Sequence, residues 1–228
     1  MSIILSIETA TNSGSVAIHK SGQLIGLQQY NIEKSHSSLL HVMIKQLMEN
    51  VGMTTSELDA IAVSAGPGSY TGLRIGVSTA KGLCYALGKP LLAVNTLESM
   101  ARQVANITTE NVLLCPMIDA RRLEVYCMVL TADMEVLEET KAEIIDEESF
   151  SSYLSQKKVL FFGDGSDKCQ PILTHENAAF IGSIIPSARE IGELAYVKYE
   201  KQEFENLAYY EPFYLKEFRI IKSKKKQF

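Results

Sequence analysis

Short apolar runs and helical repeats follow one another along the first hundred residues. Residues 2–7, 13–20 and 23–30 have the composition of strands, and the turn signals Thr11-Asn12 and Ser21-Gly22 separate them. The first run is apolar along most of its length, which is typical of a buried strand. The pattern predicts that the chain opens with three antiparallel strands.

Helical spacing begins after the third strand. Apolar residues recur every three or four positions until Gly52, which is typical of a helix C-cap. The elements predicted next are a helix over 38–51, a strand over 60–64, a helix over 71–87, a strand over 91–94 and a third helix capped by Thr96. The predicted element order of this half is therefore β-β-β-α-β-α-β-α.

The second half begins again with strands. The predicted elements are strands over 112–118, 123–130, 135–140 and 158–162, then a helix that starts at the capping box Ser187 to Glu190. The polar stretch 106–111 has the composition of a linker, so we predict two lobes, 1–105 and 106–228. Mixed order of this kind predicts an α/β protein whose five-stranded sheet has an antiparallel edge and helices on its faces.

Composition and charge narrow the class of protein. The 228 residues are 46% hydrophobic and carry a net charge of -5, which opposes a chain that coats nucleic acid over its whole surface. The apolar start lacks a basic flank, so we expect a cytoplasmic protein with no membrane contact. The four cysteines lack metal-binding or redox spacing and are expected to be buried, reduced thiols.

A local basic patch lies at the end of the chain. It consists of Arg219, Lys222, Lys224, Lys225 and Lys226. A lysine-rich terminus is usually a solvated tail, although it also attracts polyanions. Both a solvated tail and a contact with RNA stay open.

The segment 65–72 places three glycines and the aliphatic hydroxyls of Ser69 and Thr71 between a strand and a helix. Free N–H groups at a helix start bind anions, yet the segment lacks the ending of a P-loop and the spacing of a dinucleotide fold. A phosphate cradle and a tight connection therefore stay open. The candidate phosphate or nucleotide contacts are Glu8, Thr9, Thr11, Gly66, Gly68 and Ser69.

The predicted helix over 71–87 has one face with almost no side chains. Gly72, Gly76, Ala80 and Cys84 recur every four residues, and such a face lets another element approach closely. The close neighbour could be the chain's own sheet or a second protein, and spacing does not separate the two. If it is a second protein, Gly76→Leu blocks docking and leaves the fold intact.

No catalytic constellation stands out. His36 and His41 are five residues apart, which does not align two imidazoles on one helix face, so we expect no metal site. Asp119 to Arg122 lies between two predicted strands and is expected to form a hairpin turn, with anion contact as the alternative. No nucleophile and base are paired, and we predict no catalytic residue.

Several motifs resemble the TsaB (YeaZ) family of bacterial tRNA modification proteins. They are Ile7 to Thr11, His36 to Leu40, Gly66 to Gly76, Asn95 to Glu98, Asp119 to Arg121 and Gly163 to Gly165. The resemblance implies two ribonuclease-H-like lobes of the actin, Hsp70 and sugar-kinase (ASKHA) superfamily. It also implies an accessory subunit for threonylcarbamoyl transfer to the tRNA adenosine next to the anticodon.

The resemblance further implies specific partners. The catalytic paralogue TsaD would form a heterodimer with this chain, the small ATPase TsaE would join them, tRNA would be bound through the complex, and a homodimer would form when the chain is alone. The chain would hold no cofactor of its own, with ATP or ADP at the subunit boundary. The implied interface residues are Leu40, Ile44, Leu47, Gly72, Ile75, Gly76, Thr79, Ala80 and Leu83. A small-molecule, ATP-dependent kinase of the same fold is the alternative function.

Overall fold

The structure is a computed structural model that describes residues 1–32, 36–108, 111–182 and 184–215. The basic patch predicted at Arg219 to Lys226 lies outside the described residues. Within those residues, no helix is both long enough and apolar enough to cross a membrane.

The first lobe is built on a five-stranded sheet in the order β3-β2-β1-β4-β5. Its strands are β1 (Ile3–Glu8), β2 (Ser13–Lys20), β3 (Gln23–Asn31), β4 (Ala60–Gly66) and β5 (Leu91–Asn95). The first three strands are antiparallel, while β4 and β5 run parallel to β1. The predicted antiparallel start is confirmed.

The second lobe repeats this arrangement in the order β10-β9-β6-β7-β8. Its strands are β6 (Val112–Asp119), β7 (Glu124–Thr131), β8 (Val136–Ile144), β9 (Lys158–Phe162) and β10 (Ala178–Ile181). Strand β10 is missing from the sequence prediction, because it has four residues that are all half-buried and so gives no alternation to detect. The predicted α/β class is confirmed.

The helices are α1 (His36–Asn50), α2 (Tyr70–Leu87), α3 (Thr96–Ala105), the short α4 (Ser151–Leu154) and α5 (Ala188–Glu200). The prediction that Thr96 caps α3 is wrong by one residue. The Asn95 side chain is the cap, because its oxygen accepts the N–H groups of Leu97 at 2.8 Å and Glu98 at 3.4 Å. Ser187 caps α5 through the N–H of Arg189, but the return bond from the Ser187 N–H to the Glu190 side chain, which would complete the predicted capping box, is not formed among the described residues.

Helices α3 and α5 each pack on the sheet of the other lobe. Helix α3 follows β5 but packs mainly against the second sheet, while α5 follows β10 and packs against the first sheet. The N–H of Ala188 at the start of α5 donates to Ser15 Oγ on β2 at 2.8 Å. Arg102 of α3 and Glu193 of α5 form an ion pair at 3.2 Å. Each sheet is therefore covered by a helix that follows the other sheet in sequence.

The cysteines lie in the lobe cores. Cys84 belongs to the first core, and Cys115, Cys127 and Cys169 belong to the second. All four are free and buried, as predicted. Burial raises the pKa of the Cys84 and Cys169 thiols to about 12 and about 11, so both stay protonated at neutral pH.

Candidate functional site

The glycine loop between β4 and α2 is packed against other parts of the same chain. Gly66 has a left-handed backbone (φ 107°), and a Cβ placed on it would lie 2.7 Å from the carbonyl oxygen of Phe213. A Cβ on Gly68 would lie 2.4 Å from the carbonyl oxygen of Ala10. The N–H of Ser69 donates to that same oxygen at 2.6 Å. Glycine is required at both positions because the backbone of the chain approaches closely.

The small face of α2 also packs inside the chain. A Cβ on Gly72 would lie 2.1 Å from the carbonyl oxygen of Thr9, and one on Gly76 would lie 2.3 Å from Thr9 Oγ1. Ala80 and Cys84 continue this face into the core of the first lobe. The spacing left open whether this face packs on the chain's own sheet or on a second protein. In the structure, these four residues pack within the chain. The expectation that Gly76→Leu leaves the fold intact is wrong, because a larger side chain has no room there.

The predicted interface residues divide by exposure. The buried ones are Leu40, Ile44, Leu47, Gly72, Gly76, Thr79 and Ala80, and the half-buried ones are Ile75 and Leu83. The outer faces of the two helices instead present Val42, which is 46% exposed, and Tyr85, which is 85% exposed. Sequence reasoning missed both because they lie outside the apolar stripe that it followed. Contact of any of these residues with a partner stays a prediction.

A shallow groove runs between α1 and α2. Its volume is about 310 Å³. The lining residues are His41, Ile44, Lys45, Met48, Glu49, Met53, Thr55 and Leu83. Lys45 and Glu49 form an exposed ion pair on its rim at 3.8 Å. An apolar floor with a charged rim is typical of a surface that another protein covers.

A second, larger cavity lies between the lobes, with a volume of about 1130 Å³. On the first lobe it is lined by Ala10 to Asn12 and by Pro67 to Thr71. On the second it is lined by Ile118 to Arg122, Glu124, Tyr126 and Asp164, and Phe213 to Leu215 complete it. We call this cavity the interlobe cleft. Of the six predicted phosphate contacts, Thr11, Gly68 and Ser69 line it, whereas Glu8, Thr9 and Gly66 do not.

The side chains of Glu8 and Thr9 are engaged within the fold. Thr9 Oγ1 donates to the carbonyl of Gly72 at 2.9 Å. Burial raises the pKa of Glu8 to about 7, although the N–H of Ala10 and the hydroxyl of Ser64 lower it through hydrogen bonds. Its second oxygen, Oε2, is buried and has no hydrogen-bond partner among the described residues.

The Asp119–Arg122 segment forms the predicted hairpin turn. The N–H of Ala120 donates to the carbonyl of Glu124 at 3.1 Å. Partial burial would raise the pKa of Asp119, but hydrogen bonds from Lys168 Nζ and from the N–H of Arg121 lower it below its usual value. Arg121 and Arg122 both have left-handed backbones, with φ of 74° and 53°. Two adjacent non-glycine residues in this conformation store strain of about 1 kcal/mol or more each.

No metal site is found among the described residues, where no group of three or more His, Cys, Asp or Glu side chains could hold an ion. His36 Nε2 contacts the carbonyl oxygen of Thr11 at 2.7 Å, while His41 lies on the α1–α2 groove. The two histidines therefore take part in different local contacts.

Comparison with known proteins places these features in a family. A family model described as "TsaD: tRNA N6-adenosine threonylcarbamoyltransferase" matches residues 23–222. The chain is 30% identical over 208 residues to "tRNA threonylcarbamoyladenosine biosynthesis protein TsaB" of Bacillus subtilis, covering 87% of this chain and 88% of that protein.

Solved structures agree with this assignment. A Pseudomonas aeruginosa protein described as similar to peptidase YEAZ superposes with a TM-score of 0.84 at 26% identity, covering 95% of this chain and 100% of that one. The activator of the 2-hydroxyisocaproyl-CoA dehydratase from Clostridium difficile gives a TM-score of 0.53 at 12% identity, covering 90% and 98%. This second likeness shows the ASKHA fold alone. The chain therefore belongs to the TsaB (YeaZ) family, within the wider group that the TsaD model describes.

Proposed function

We propose that this chain is a partner-binding subunit in cytoplasmic tRNA threonylcarbamoyladenosine biosynthesis and transfers no group itself. Its partner is the catalytic paralogue TsaD, which it binds as a heterodimer through the outer faces of α1 and α2. The observation that carries the proposal is the exposed apolar surface of these two helices, around the groove of about 310 Å³.

The chemistry of this surface suits a protein partner. Met48, Met53 and Leu83 line the groove, and Val42 and Tyr85 stand exposed on the outer faces of the two helices. Methionine and tyrosine are enriched where proteins meet, because methionine adapts its shape and tyrosine adds a polar end to a large ring. Gly82 is exposed on α2 and has nothing within 4 Å of a Cβ placed on it, so a partner helix can come close there.

The family match supports a paralogue as the partner. The TsaD model spans residues 23–222 and so includes α1 and α2, which means that a TsaD protein carries related helices. A surface that packs on a near-copy of itself often also has the self-complementarity that a two-fold homodimer needs. We therefore propose a four-helix contact in the heterodimer, and a homodimer through the same surface when the partner is absent.

The glycine loop supports a non-catalytic role. The N–H of Ser69 donates to the carbonyl of Ala10, and Thr9 Oγ1 donates to the carbonyl of Gly72, so both donors are engaged within the chain. A small-molecule kinase needs such groups free for the phosphates of ATP. We accordingly place any ATP or ADP at the subunit boundary, with the ATPase TsaE joining the complex there.

The proposal is tested with the purified chain and the TsaD paralogue of the same organism. Light scattering after size-exclusion chromatography should show a one-to-one complex that replaces the homodimer. The double variant Val42→Glu/Gly82→Glu changes only exposed positions, so it should fold and yet raise the Kd for the paralogue by about a hundredfold.

Ile144→Glu is the matched control, because Ile144 is 71% exposed on β8 of the second lobe. It should leave the Kd unchanged. Equal affinity of the folded double variant and the wild type would exclude the α1–α2 surface. Absence of any complex across a range of salt and nucleotide concentrations would exclude the partner-binding role itself.

A further inference from the structure

The outer edges of the two sheets are protected to different degrees. In the first lobe the edge strands are β3 and β5, and in the second they are β8 and β10. An edge strand leaves a row of N–H and C=O groups unpaired, and such a row is a template for another strand. Proteins close these edges with charged residues, with short strands or with a covering segment. Three of the four edges here carry one of these protections.

Strands β5, β10 and β8 are the protected edges. The N–H of Glu205 donates to the carbonyl of Leu91 at 2.9 Å, so another part of the chain covers β5. Strand β10 has only four residues. Strand β8 has three glutamates and one lysine among its nine residues, and this Lys141 pairs with Glu138 at 2.8 Å and with Glu143 at 2.9 Å. A strand added to β8 would therefore meet a row of charges.

Strand β3 has none of these protections. It is nine residues long, and none of the nine is charged. Among the described residues it pairs with β2 alone, so its outer edge has no neighbouring strand. The register with β2 shifts once, between Leu24 and Gly26, and is regular over residues 26–31. Ile25, Leu27 and Tyr30 are exposed along the strand. The first lobe thus ends in a long, uncharged edge.

The neutral edge of β3 is complementary to a second copy of itself. An unpaired edge binds an extended backbone through ladder hydrogen bonds, and like charges placed opposite each other weaken such pairing. An antiparallel pair about a two-fold axis sets one β3 against the other, so only uncharged side chains meet. The net charge of -5 makes two copies of the chain repel each other in general. A strand without charge is therefore a place where two copies can approach.

The β3 edge is separate from the α1–α2 groove. A Cβ placed on Gly26 would lie 2.9 Å from side-chain atoms of both Leu47 and Val51, so β3 packs under that face of α1. The groove is lined instead by Ile44 and Met48, on the face of α1 toward α2. The two surfaces can therefore be occupied at the same time.

We propose that two copies of this chain pair antiparallel through their β3 edges and join their two five-stranded sheets into one sheet of ten strands. The proposal goes beyond the proposed function and does not rest on it, because the α1–α2 surface takes no part. With the TsaD paralogue bound, β3 pairing joins two heterodimers and keeps the ratio of the two chains at one to one. Without the paralogue, the two surfaces together build assemblies larger than a dimer.

The test uses the full-length variant Val42→Glu/Gly82→Glu, which changes the helix surface and leaves β3 intact. Light scattering over about a hundredfold range of protein concentration should show a dimer that dissociates on dilution. Addition of Leu27→Lys should raise the Kd of this dimer by about a hundredfold, because the two-fold axis brings a lysine from each copy to the same edge. In the wild-type chain, Leu27→Lys alone should reduce the larger assemblies to dimers.

Leu137→Lys is the matched control. Leu137 is 45% exposed on the edge strand β8 and Leu27 is 39% exposed on β3, so the same change is made in similar surroundings. The control should leave the Kd of the dimer unchanged. Equal weakening by the two lysine variants would overturn the proposal. So would a Val42→Glu/Gly82→Glu chain that is monomeric at every concentration.

Hydrogen exchange identifies the strand that pairs. The amides of residues 26–31 should exchange more slowly as the concentration rises, because their outward N–H groups gain acceptors in the second copy. The amides of β8 should exchange at the same rate throughout. A dimer without slower exchange in β3 would place the contact elsewhere and overturn the proposal. Binding of the TsaD paralogue is measured separately, so failure of the partner-binding role and failure of β3 pairing are told apart.

Discussion

Thr9 Oγ1 donates a hydrogen bond of 2.9 Å to the carbonyl oxygen of Gly72. The two residues are 63 positions apart, and this bond fixes the start of α2 on the end of β1. The position of Gly76 one turn later depends on the same threonine, because a Cβ there would lie 2.3 Å from the bonded oxygen. Thr9 thus explains both glycines at the start of this face, through its carbonyl oxygen at Gly72 and its hydroxyl at Gly76.

Two glycines of α2 should respond oppositely to alanine. Gly76→Ala should lower the free energy of unfolding by about 1–3 kcal/mol, because the added methyl group overpacks against Thr9. Gly82→Ala should raise it by about 0.5–1 kcal/mol, because Gly82 is exposed with open space and alanine favours helix. Urea unfolding of both variants checks this. Changes of the same sign would contradict the packing described for Gly76.

His19 should make the fold sensitive to acid. It is buried under α5, and neither ring nitrogen has a hydrogen-bond partner among the described residues. Burial lowers its pKa to about 4, although the Glu193 carboxylate opposes this. In the folded protein His19 therefore stays neutral at pH values below about 6.5, where the same histidine is protonated in the unfolded chain.

The contribution of neutral His19 to the free energy of unfolding is therefore fully present above about pH 6.5. It is lost as the pH falls toward 4, by up to roughly 3 kcal/mol. Unfolding of His19→Gln and of the wild type should be compared between pH 4 and 8. The variant's free energy of unfolding should fall less steeply with acid. Parallel pH profiles would show that His19 does not titrate in this way.

Glu8 should act in the opposite direction. Its pKa is raised to about 7, so the folded state holds a proton that the unfolded chain releases above about pH 4.5. Its contribution is present below that pH and is lost as the pH rises toward 7. Glu8→Gln removes the titration, so its stability relative to wild type should increase with pH over this range. A constant difference between the two proteins from pH 4.5 to 8 would contradict the assignment.

Asn95 joins the two lobes at a helix cap. Its oxygen accepts the N–H of Leu97, and its Nδ2 donates to Thr140 Oγ1 on β8 at 2.8 Å. Asn95→Ala should lower the free energy of unfolding by about 1–2 kcal/mol. Asn95→Asp keeps the capping oxygen, and the Thr140 hydroxyl can donate to it, so a change within about 0.5 kcal/mol is expected. Thermal unfolding of the two variants checks this. Equal losses of stability in Asn95→Ala and Asn95→Asp would show that the capping oxygen is not what stabilises the fold here.

Local pattern was enough to predict most elements. Strands β2 and β9 were predicted with the bounds that the structure has, because alternation and turn residues are encoded next to each other in sequence. The cap of α3 was misplaced to Thr96, because Asn95 and Thr96 are both good capping residues and only the geometry separates them.

The neighbours of the predicted elements were harder to predict. The four-residue spacing of Gly72 and Gly76 showed that something packs closely on α2, but nothing in that spacing points to Thr9 at the end of β1. The cleft residues Tyr126 and Tyr214 carry no motif, and they line one cavity only because the two lobes face each other. Sequence pattern reports local periodicity, whereas a site between lobes depends on contacts that are distant in sequence.

The crossing of α3 and α5 has a consequence for synthesis of the protein. Residues that form the first sheet leave the ribosome early. The hydrogen-bond partner of Ser15, the N–H of Ala188, is synthesised much later, and so is the rest of α5, which covers that face of β1 and β2. Until about residue 200 has emerged, one side of the nascent first sheet is bare. The lobe that is translated first is therefore completed last.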